Sequence, residues 1–333
     1  MKILVTGGAG FIGSHTVVEL LNANYEVVII DNFSNSSPDV LDKIKQICHK
    51  DFTFYEGNVC NEKFLREIFV KEAINAVIHF AGYKAVGESV AKPIMYYENN
   101  LGSTITLAKI MQEFNVNSFV FSSSATVYGN PKTLPIKENF PLTATNPYGY
   151  TKLMCERILT DICKANPNFK VTLLRYFNPI GAHESGLIGE NPKGIPNNIM
   201  PYIMKVATKE LEKVHVFGND YDTIDGTGVR DYIHVVDLAK GHIKAIEYME
   251  NHPGLHIYNL GTGNGYSVLQ LINTVAKVNN LDIPYVIEDR RPGDIAKCYA
   301  DPSLANKELN WKAEKGIEEM CKDAYNFVIK TNN

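Results

Sequence analysis

A chain of 333 residues, 45% hydrophobic and 21% charged, has an ordinary globular composition, with room for two domains or one elaborated α/β domain. A formal net charge of -4 without a basic block argues against nucleic acid as a partner. Apolar runs such as Tyr25–Ile30 and Val116–Phe121 are too short to span a bilayer.

The chain opens on a β-rich run, Lys2–Thr6, that leads directly into Thr6-Gly-Gly-Ala-Gly-Phe-Ile-Gly13. Met1–Val5 has the start of a signal peptide, but Gly7, Gly8, Gly10 and Gly13 interrupt the apolar region, so a cytoplasmic location is expected. A helix over Ser14–Asn22 and a strand over Tyr25–Ile30, ending at Asp31, complete the β-glycine loop-α-β-acid order of a dinucleotide site. The glycines permit a tight turn and close approach of backbone to a pyrophosphate, which the helix N-terminus attracts. The Asp31 carboxylate suits the ribose hydroxyls and repels a 2′-phosphate, so NAD is favoured over NADP. Asp31 also suits a plain turn before Asn32.

Strands at Phe52–Glu56, Ala76–Phe80, Asn117–Ser122 and Val171–Tyr176 alternate with helices at Glu62–Glu72, Met95–Phe114 and Tyr148–Ala165. Such alternation specifies a doubly wound parallel sheet with right-handed crossovers. Residues 179–230 are rich in Gly, Pro and Asn and read as loops that shape a substrate pocket. Strands at Val229–Val235 and His256–Leu260 flank a helix near Val236–Glu250. Further helices follow at Val268–Asn279 and Gly316–Ile329. The expected fold class is α/β: a Rossmann-type domain over 1–177 binding NAD, then a smaller C-terminal α/β substrate domain over 178–333. Segments near 229–262 are candidates to rejoin the first sheet. The six cysteines are scattered without a C-x-x-C, as reduced thiols would be, and Pro253-Gly254 spoils the His252/His256 spacing. No metal is expected.

Three serines, Ser122 to Ser124, close the strand before a Pro-rich loop, where open α/β sheets place reactive groups. Asn146-Pro147 then signals a helix start, and that helix carries Tyr148 and Lys152 at i and i+4. A phenol, with a pKa of ~10, needs about 4 kcal/mol of differential stabilisation to act as a base at neutral pH. A lysine ammonium one turn away, or a cationic nicotinamide, favours the phenolate. A serine hydroxyl could orient phenol and substrate. Tyr128 and Lys132 repeat the spacing, but Pro131 between them breaks the helix it needs.

The glycine string, Asp31-Asn32, His79-Phe-Ala-Gly82, Ser122-Ser-Ser-Ala-Thr-Val-Tyr-Gly129 and Tyr148-x-x-x-Lys152 resemble the extended short-chain dehydrogenase/reductases. Longer strings are similar to the UDP-hexose 4-epimerases of that family: residues 84–89, 175–183, 194–203, 217–221, 225–235, 258–263 and 291–294. The likeness covers nearly the whole chain.

The resemblance implies that Gly7, Gly10, Phe11, Ile12 and Gly13 hold the NAD pyrophosphate and that Asp31, Asn32 and Asn35 lie by the adenosine ribose. Asn58 and Val59 join the cofactor set. Asn58 stands where the family commonly has Asp against the adenine, and its amide oxygen can accept the same bond. Phe80, Ala81, Lys84 and Asn99 would line the nicotinamide half, with Tyr176 close to the ring. For the substrate, the resemblance puts Asn178 and Asn198 on the diphosphate, with Arg230 and Arg291 as its charge partners. It puts Asp294 on the uridine ribose and Phe217 against the uracil. Forked cations that never lose charge suit a diphosphate.

The implied activity is NAD-dependent interconversion of UDP-glucose and UDP-galactose, by transient oxidation at C4 in a homodimer. Tyr148 takes the C4 hydroxyl proton, Lys152 depresses its pKa and positions the nicotinamide ribose, and Ser124 bridges phenol and substrate oxygen. A 4,6-dehydratase or decarboxylase of the same fold is the nearest alternative, disfavoured by Ala125-Thr126 where those relatives carry an acid. A catalytically silent NAD-binding module is the other, disfavoured because Tyr148 and Lys152 both stand. Cys298 occupies a position that in the family lines the pocket wall near the sugar. A small residue there implies that UDP-N-acetylglucosamine and UDP-N-acetylgalactosamine also fit, unless Cys298 is a simple buried hydrophobe or Tyr299 fills the space.

Overall fold

The computed structural model describes residues 1–333 apart from Ile195, Pro292 and Asn333; Ile195 and Pro292, which belong to two of the motif strings, lie outside the described residues. The chain begins β1 (Lys2–Thr6), α1 (Phe11–Asn22), β2 (Glu26–Asp31), α2 (Asp39–Cys48), β3 (Thr53–Glu56), α3 (Glu62–Lys71) and β4 (Ala76–His79). It continues with α4 (Val86–Ala91), α5 (Pro93–Glu113), β5 (Ser118–Ser124), α6 (Pro147–Ala165) and β6 (Lys170–Tyr176). Then come β7 (Asn178–Ile180), α7 (Ile199–Ala207), β8 (Val214–Phe217), β9 (Val229–His234), α8 (Val235–Asn251) and β10 (Leu255–Leu260). The last part holds β11 (Gly265–Ser267), α9 (Val268–Asn279), β12 (Tyr285–Glu288), β13 (Lys297–Cys298), α10 (Ser303–Glu308) and α11 (Ile317–Asn332).

Seven parallel strands form the central sheet in the order β10-β6-β5-β4-β1-β2-β3. Ile3, Leu4 and Val5 are fully buried, as expected of a strand covered on both faces. Their side chains alternate. Ile3 and Val5 join the core under α1, α2 and α8, while Leu4 joins the core under α3, α5 and α6. Chain order reverses on either side of β1, which opens a crevice beyond the carboxyl ends of β1 and β4, where such sheets bind ligands.

A second layer packs β9 against β7, β11 and β13, with β8 and β12 as a separate parallel pair and α7, α9 and α11 over a third core. Two sequence expectations change here. Residues 179–230 are not all loop: α7 forms with Pro201 in its first turn, where a missing N–H costs little. Val229–His234 does not return to the first sheet; of the segments near 229–262, the strand that does is β10, beside β6. Helix α2, absent from the sequence reading, buries Ile44 and Cys48 against the first core. No helix among the described residues is long and apolar enough to cross a membrane.

Candidate active site

The glycine loop follows β1 without a spare residue. Gly7 has φ +71°, and a Cβ there would lie 2.8 Å from the Ala81 nitrogen. A Cβ on Gly13 would lie 2.2 Å from the Gly7 carbonyl oxygen, so no side chain fits between loop and helix. Gly10 starts α1 with no side-chain cap, and the first turn holds no acid. That N-terminus is an open seat for an anion. Asp31, at the end of β2, accepts from the Ala9 amide at 3.0 Å, the Phe33 amide at 2.9 Å and the Ser36 hydroxyl at 2.9 Å. These bonds pin the carboxylate at the cleft wall and leave one acceptor position, on Oδ2, for a ribose hydroxyl.

Every cofactor candidate lines one cleft of about 1000 Å³. The α1 end contributes Gly7, Gly10, Phe11, Ile12 and Gly13, and the ends of β2 and β3 contribute Asp31, Asn32, Asn35, Asn58 and Val59. Phe80, Ala81 and Lys84 follow β4, and Asn99, Tyr148, Lys152 and Tyr176 close the far end. Asn58 folds its amide oxygen back onto the Cys60 amide at 2.8 Å. Tyr176 donates to Nε2 of His242, whose Nδ1 faces the Leu238 carbonyl at 2.8 Å; burial holds His242 neutral, down to about 4.

At the proton-transfer end, Asn146 caps α6 by accepting from the Gly149 amide at 2.9 Å, and Pro147 begins the helix. Tyr148 and Lys152 therefore lie one turn apart on the face toward β5. Lys152 is 8% exposed, donates to the Ser122 carbonyl at 2.6 Å and the Ser122 hydroxyl at 3.3 Å, and sits 4.9 Å over the Phe121 ring. Burial pulls its ammonium down to about 8 against the pull of Cys155 and Glu156. Burial also pushes the Tyr148 phenol up, and the Ser124 hydroxyl beside it pulls it back. Here the Lys152 ammonium is turned to Ser122, and Ser124 is the side chain bonded to the phenol. Behind the site, Glu156 accepts from Ser123 at 2.5 Å and from Arg175 Nε at 2.9 Å and Nη2 at 2.7 Å, tying α6, β5 and β6 together.

The substrate candidates gather elsewhere. Of them only Asn198 lines the cleft. Arg291 stacks 4.7 Å over the Phe217 ring and pairs with Asp294 at 3.0 Å, and Asp294 also faces Arg230 at 3.9 Å. Asp294, expected on a ribose, is thus the counter-ion of both arginines. Cys298 lies opposite Arg230 in the β13–β9 pairing, and Asn178 lies opposite Tyr232 on β7. Buried Asp231 anchors this array, accepting from the Thr262 amide at 2.9 Å, Gly263 at 3.0 Å and Ala300 at 3.1 Å. This explains why the strings at 225–235 and 258–263 occur together: the second wraps a carboxylate of the first.

Sequence reasoning missed Glu190. Its side chain is 9% exposed in the cleft wall, and Oε1 accepts from Lys84 at 2.9 Å and Asn198 at 2.7 Å. No motif marks it, since Lys84 is 106 residues away. Thr126, read only as a missing acid, proves to bond Ser124 twice, through its amide at 3.2 Å and its hydroxyl at 3.0 Å. Among the described residues no cluster of metal-ligating side chains occurs, and the six cysteines are free.

The family model described as GDP-mannose 4,6 dehydratase, one of the extended short-chain dehydrogenase/reductases, matches residues 4–324. The UDP-glucose 4-epimerase of Bacillus subtilis (strain 168) is 59% identical over 333 residues, covering 100% of this chain and 98% of that one. The chain belongs to the UDP-glucose 4-epimerase family. Among solved structures, UDP-glucose 4-epimerase from Bifidobacterium longum, in complex with NAD+ and UDP, is similar with a TM-score of 0.97 and 56% identity, covering 100% and 99% of the two chains. That from Stenotrophomonas maltophila, with bound NAD and formylated UDP-arabinopyranose, has a TM-score of 0.98 at 44% identity over 100% and 99%.

Proposed function

We propose that this chain interconverts UDP-glucose and UDP-galactose by reversible oxidation at C4 with a retained NAD. The observation that carries the reading is the meeting of Tyr148, Lys152, Ser122 and Ser123 in the cleft that begins at Gly7 and Asp31, with Ser124 bonded to the phenol.

The residues present fit NAD: Gly7 and Gly13 admit no Cβ, the α1 N-terminus is uncapped, and Asp31 faces where a ribose diol belongs. When bound, NAD supplies the hydride acceptor and donor for C4. The Tyr148 oxygen takes the C4 hydroxyl proton and later returns it. Lys152 donates along the Ser122 edge and carries the positive charge that a buried phenolate needs. Arg230, Arg291, Asn178 and Asn198 retain the diphosphate while the sugar turns, Phe217 flanks the uracil, and Asp294 holds the two guanidiniums in place as their shared counter-ion. The division of labour is an NAD-binding domain over 1–177, supplemented by β10, and a UDP-sugar domain over 178–333.

A broader substrate range has its own support. Cys298 is half-buried and packs beside the Val127, Tyr128 and Phe177 cluster. The neighbouring Tyr299 ring lies against Gly265, where a Cβ would meet it at 3.2 Å, so it does not occupy the Cys298 side of the strand. A thiol there leaves room for an acetamido group, and N-acetylated UDP-hexoses belong to the proposed substrate range.

Free cysteines support a reducing compartment, and we place the enzyme in the cytoplasm. A homodimer is proposed as well: exposed Ile94 and Ile105 on α5 and Tyr150 and Met154 on α6 give packed neighbouring helices an apolar outer face. The test of function is conversion of UDP-galactose to UDP-glucose by purified protein without added cofactor. Absence of conversion, or strict dependence on added NADP, overturns the reading.

A further inference from the structure

Ser124, the last residue of β5, caps the short 3-10 turn Ala125–Tyr128, and its hydroxyl oxygen is bonded twice by Thr126. A serine hydroxyl offers one donor and two acceptor positions. The Thr126 amide can only donate, so its 3.2 Å bond commits one lone pair permanently. One donor and one lone pair remain for two neighbours, the Tyr148 phenol and the Thr126 hydroxyl at 3.0 Å.

Only two arrangements satisfy both. With a neutral phenol, whose oxygen both donates and accepts, either order is open: Tyr148 to Ser124 to Thr126, or Thr126 to Ser124 to Tyr148. With a phenolate, Ser124 must donate to the Tyr148 oxygen, and Thr126 then donates to Ser124. No proton leaves the three hydroxyls beyond the one the phenol exchanges with its substrate. We propose that Thr126 is a positioning residue for the base: once Tyr148 ionises, its hydroxyl is fixed as a donor to Ser124 and so presents Ser124 to the phenolate as a donor. The inference rests on the proposed roles of Tyr148 and Ser124. It has physical force because burial opposes the phenolate here and Ser124 is the neighbour that relieves it. Hydrogen bonds to an ionised oxygen are the strong ones, and a donor behind the donor polarises it further.

The experiment is the pH dependence of kcat and kcat/KM for UDP-galactose in wild type, Thr126→Val, Thr126→Ser and Ser124→Ala, with bound NAD measured in each. Thr126→Val keeps the shape and the amide bond. It should lose about threefold to tenfold in kcat at pH 7, on the scale of one hydrogen bond. Its KM should hardly move, its acidic limb should shift to higher pH, and its activity should recover as pH rises. Thr126→Ser should restore the wild-type profile. An unshifted Thr126→Val limb with a shifted Ser124→Ala limb overturns the role of Thr126 alone. Equal impairment of the Val and Ser variants overturns it too, since the methyl would then be what matters. Unshifted limbs in both Thr126→Val and Ser124→Ala overturn the Tyr148–Ser124 reading beneath it.

Discussion

Lys152 stands one helical turn from Tyr148, yet its ammonium is bonded to the Ser122 carbonyl, 2.6 Å away. Because burial brings Lys152 to about 8, the free enzyme keeps this charge at neutral pH and loses it as pH rises through that value. A descending limb of kcat/KM near that pH is expected. Lys152→Arg, whose guanidinium does not titrate there, should have lower activity but no such limb. An identical limb in Lys152→Arg contradicts the assignment.

Tyr148→Phe removes the hydroxyl proposed as the proton acceptor but not the ring. Binding of NAD and UDP should persist, while kcat falls by about 10² to 10⁴-fold. Near-normal turnover would remove Tyr148 from its role.

Asp31 holds its oxygens toward the cleft through the Ala9, Phe33 and Ser36 bonds. NAD rather than NADP should be released when the purified protein is denatured. Asp31→Ala should emerge with less bound nucleotide at unchanged protein yield. Release of NADP from the wild type would contradict the role given to this carboxylate.

The sequence was most legible where one element decides its own structure. The buried β1, the glycine loop, the Asn146 cap and the Tyr148–Lys152 spacing all follow from local rules, and the structure has them in place. Helix α7 was hidden because prolines and asparagines around it read as loop, though a first-turn Pro201 is compatible with a helix. The sheet that β9 joins is not legible in its sequence, because short strands take their partners from distant segments. Charge pairing was beyond reach for the same reason. That Asp294 meets both arginines, or that Glu190 meets Lys84, depends on folding rather than on spacing.

Glu156 and Arg175 form a buried ion pair, with side chains 5% and 2% exposed. Glu156→Ala leaves a guanidinium without its counter-ion and should cost about 3 to 5 kcal/mol in urea unfolding. A loss comparable to an exposed pair such as Arg157–Asp161, within about 1 kcal/mol, would contradict the pair's structural role.

The role proposed for Cys298 sets the expected substrate range. Wild type should turn over both UDP-galactose and UDP-N-acetylgalactosamine, and Cys298→Tyr should lose kcat/KM selectively for the N-acetylated pair. Failure of the wild type with either N-acetylated sugar would defeat the broader range, as would a Tyr variant that handles them equally well.

The most direct test of the central claim follows the hydrogen at C4. UDP-galactose deuterated at C4 is incubated with purified protein in ordinary water without added NAD, and the product is read by NMR and mass spectrometry. Epimerisation through a retained cofactor should give UDP-glucose with the deuterium still at C4 and none in the solvent. Product that has lost the label to water, or conversion that requires added cofactor, would contradict it.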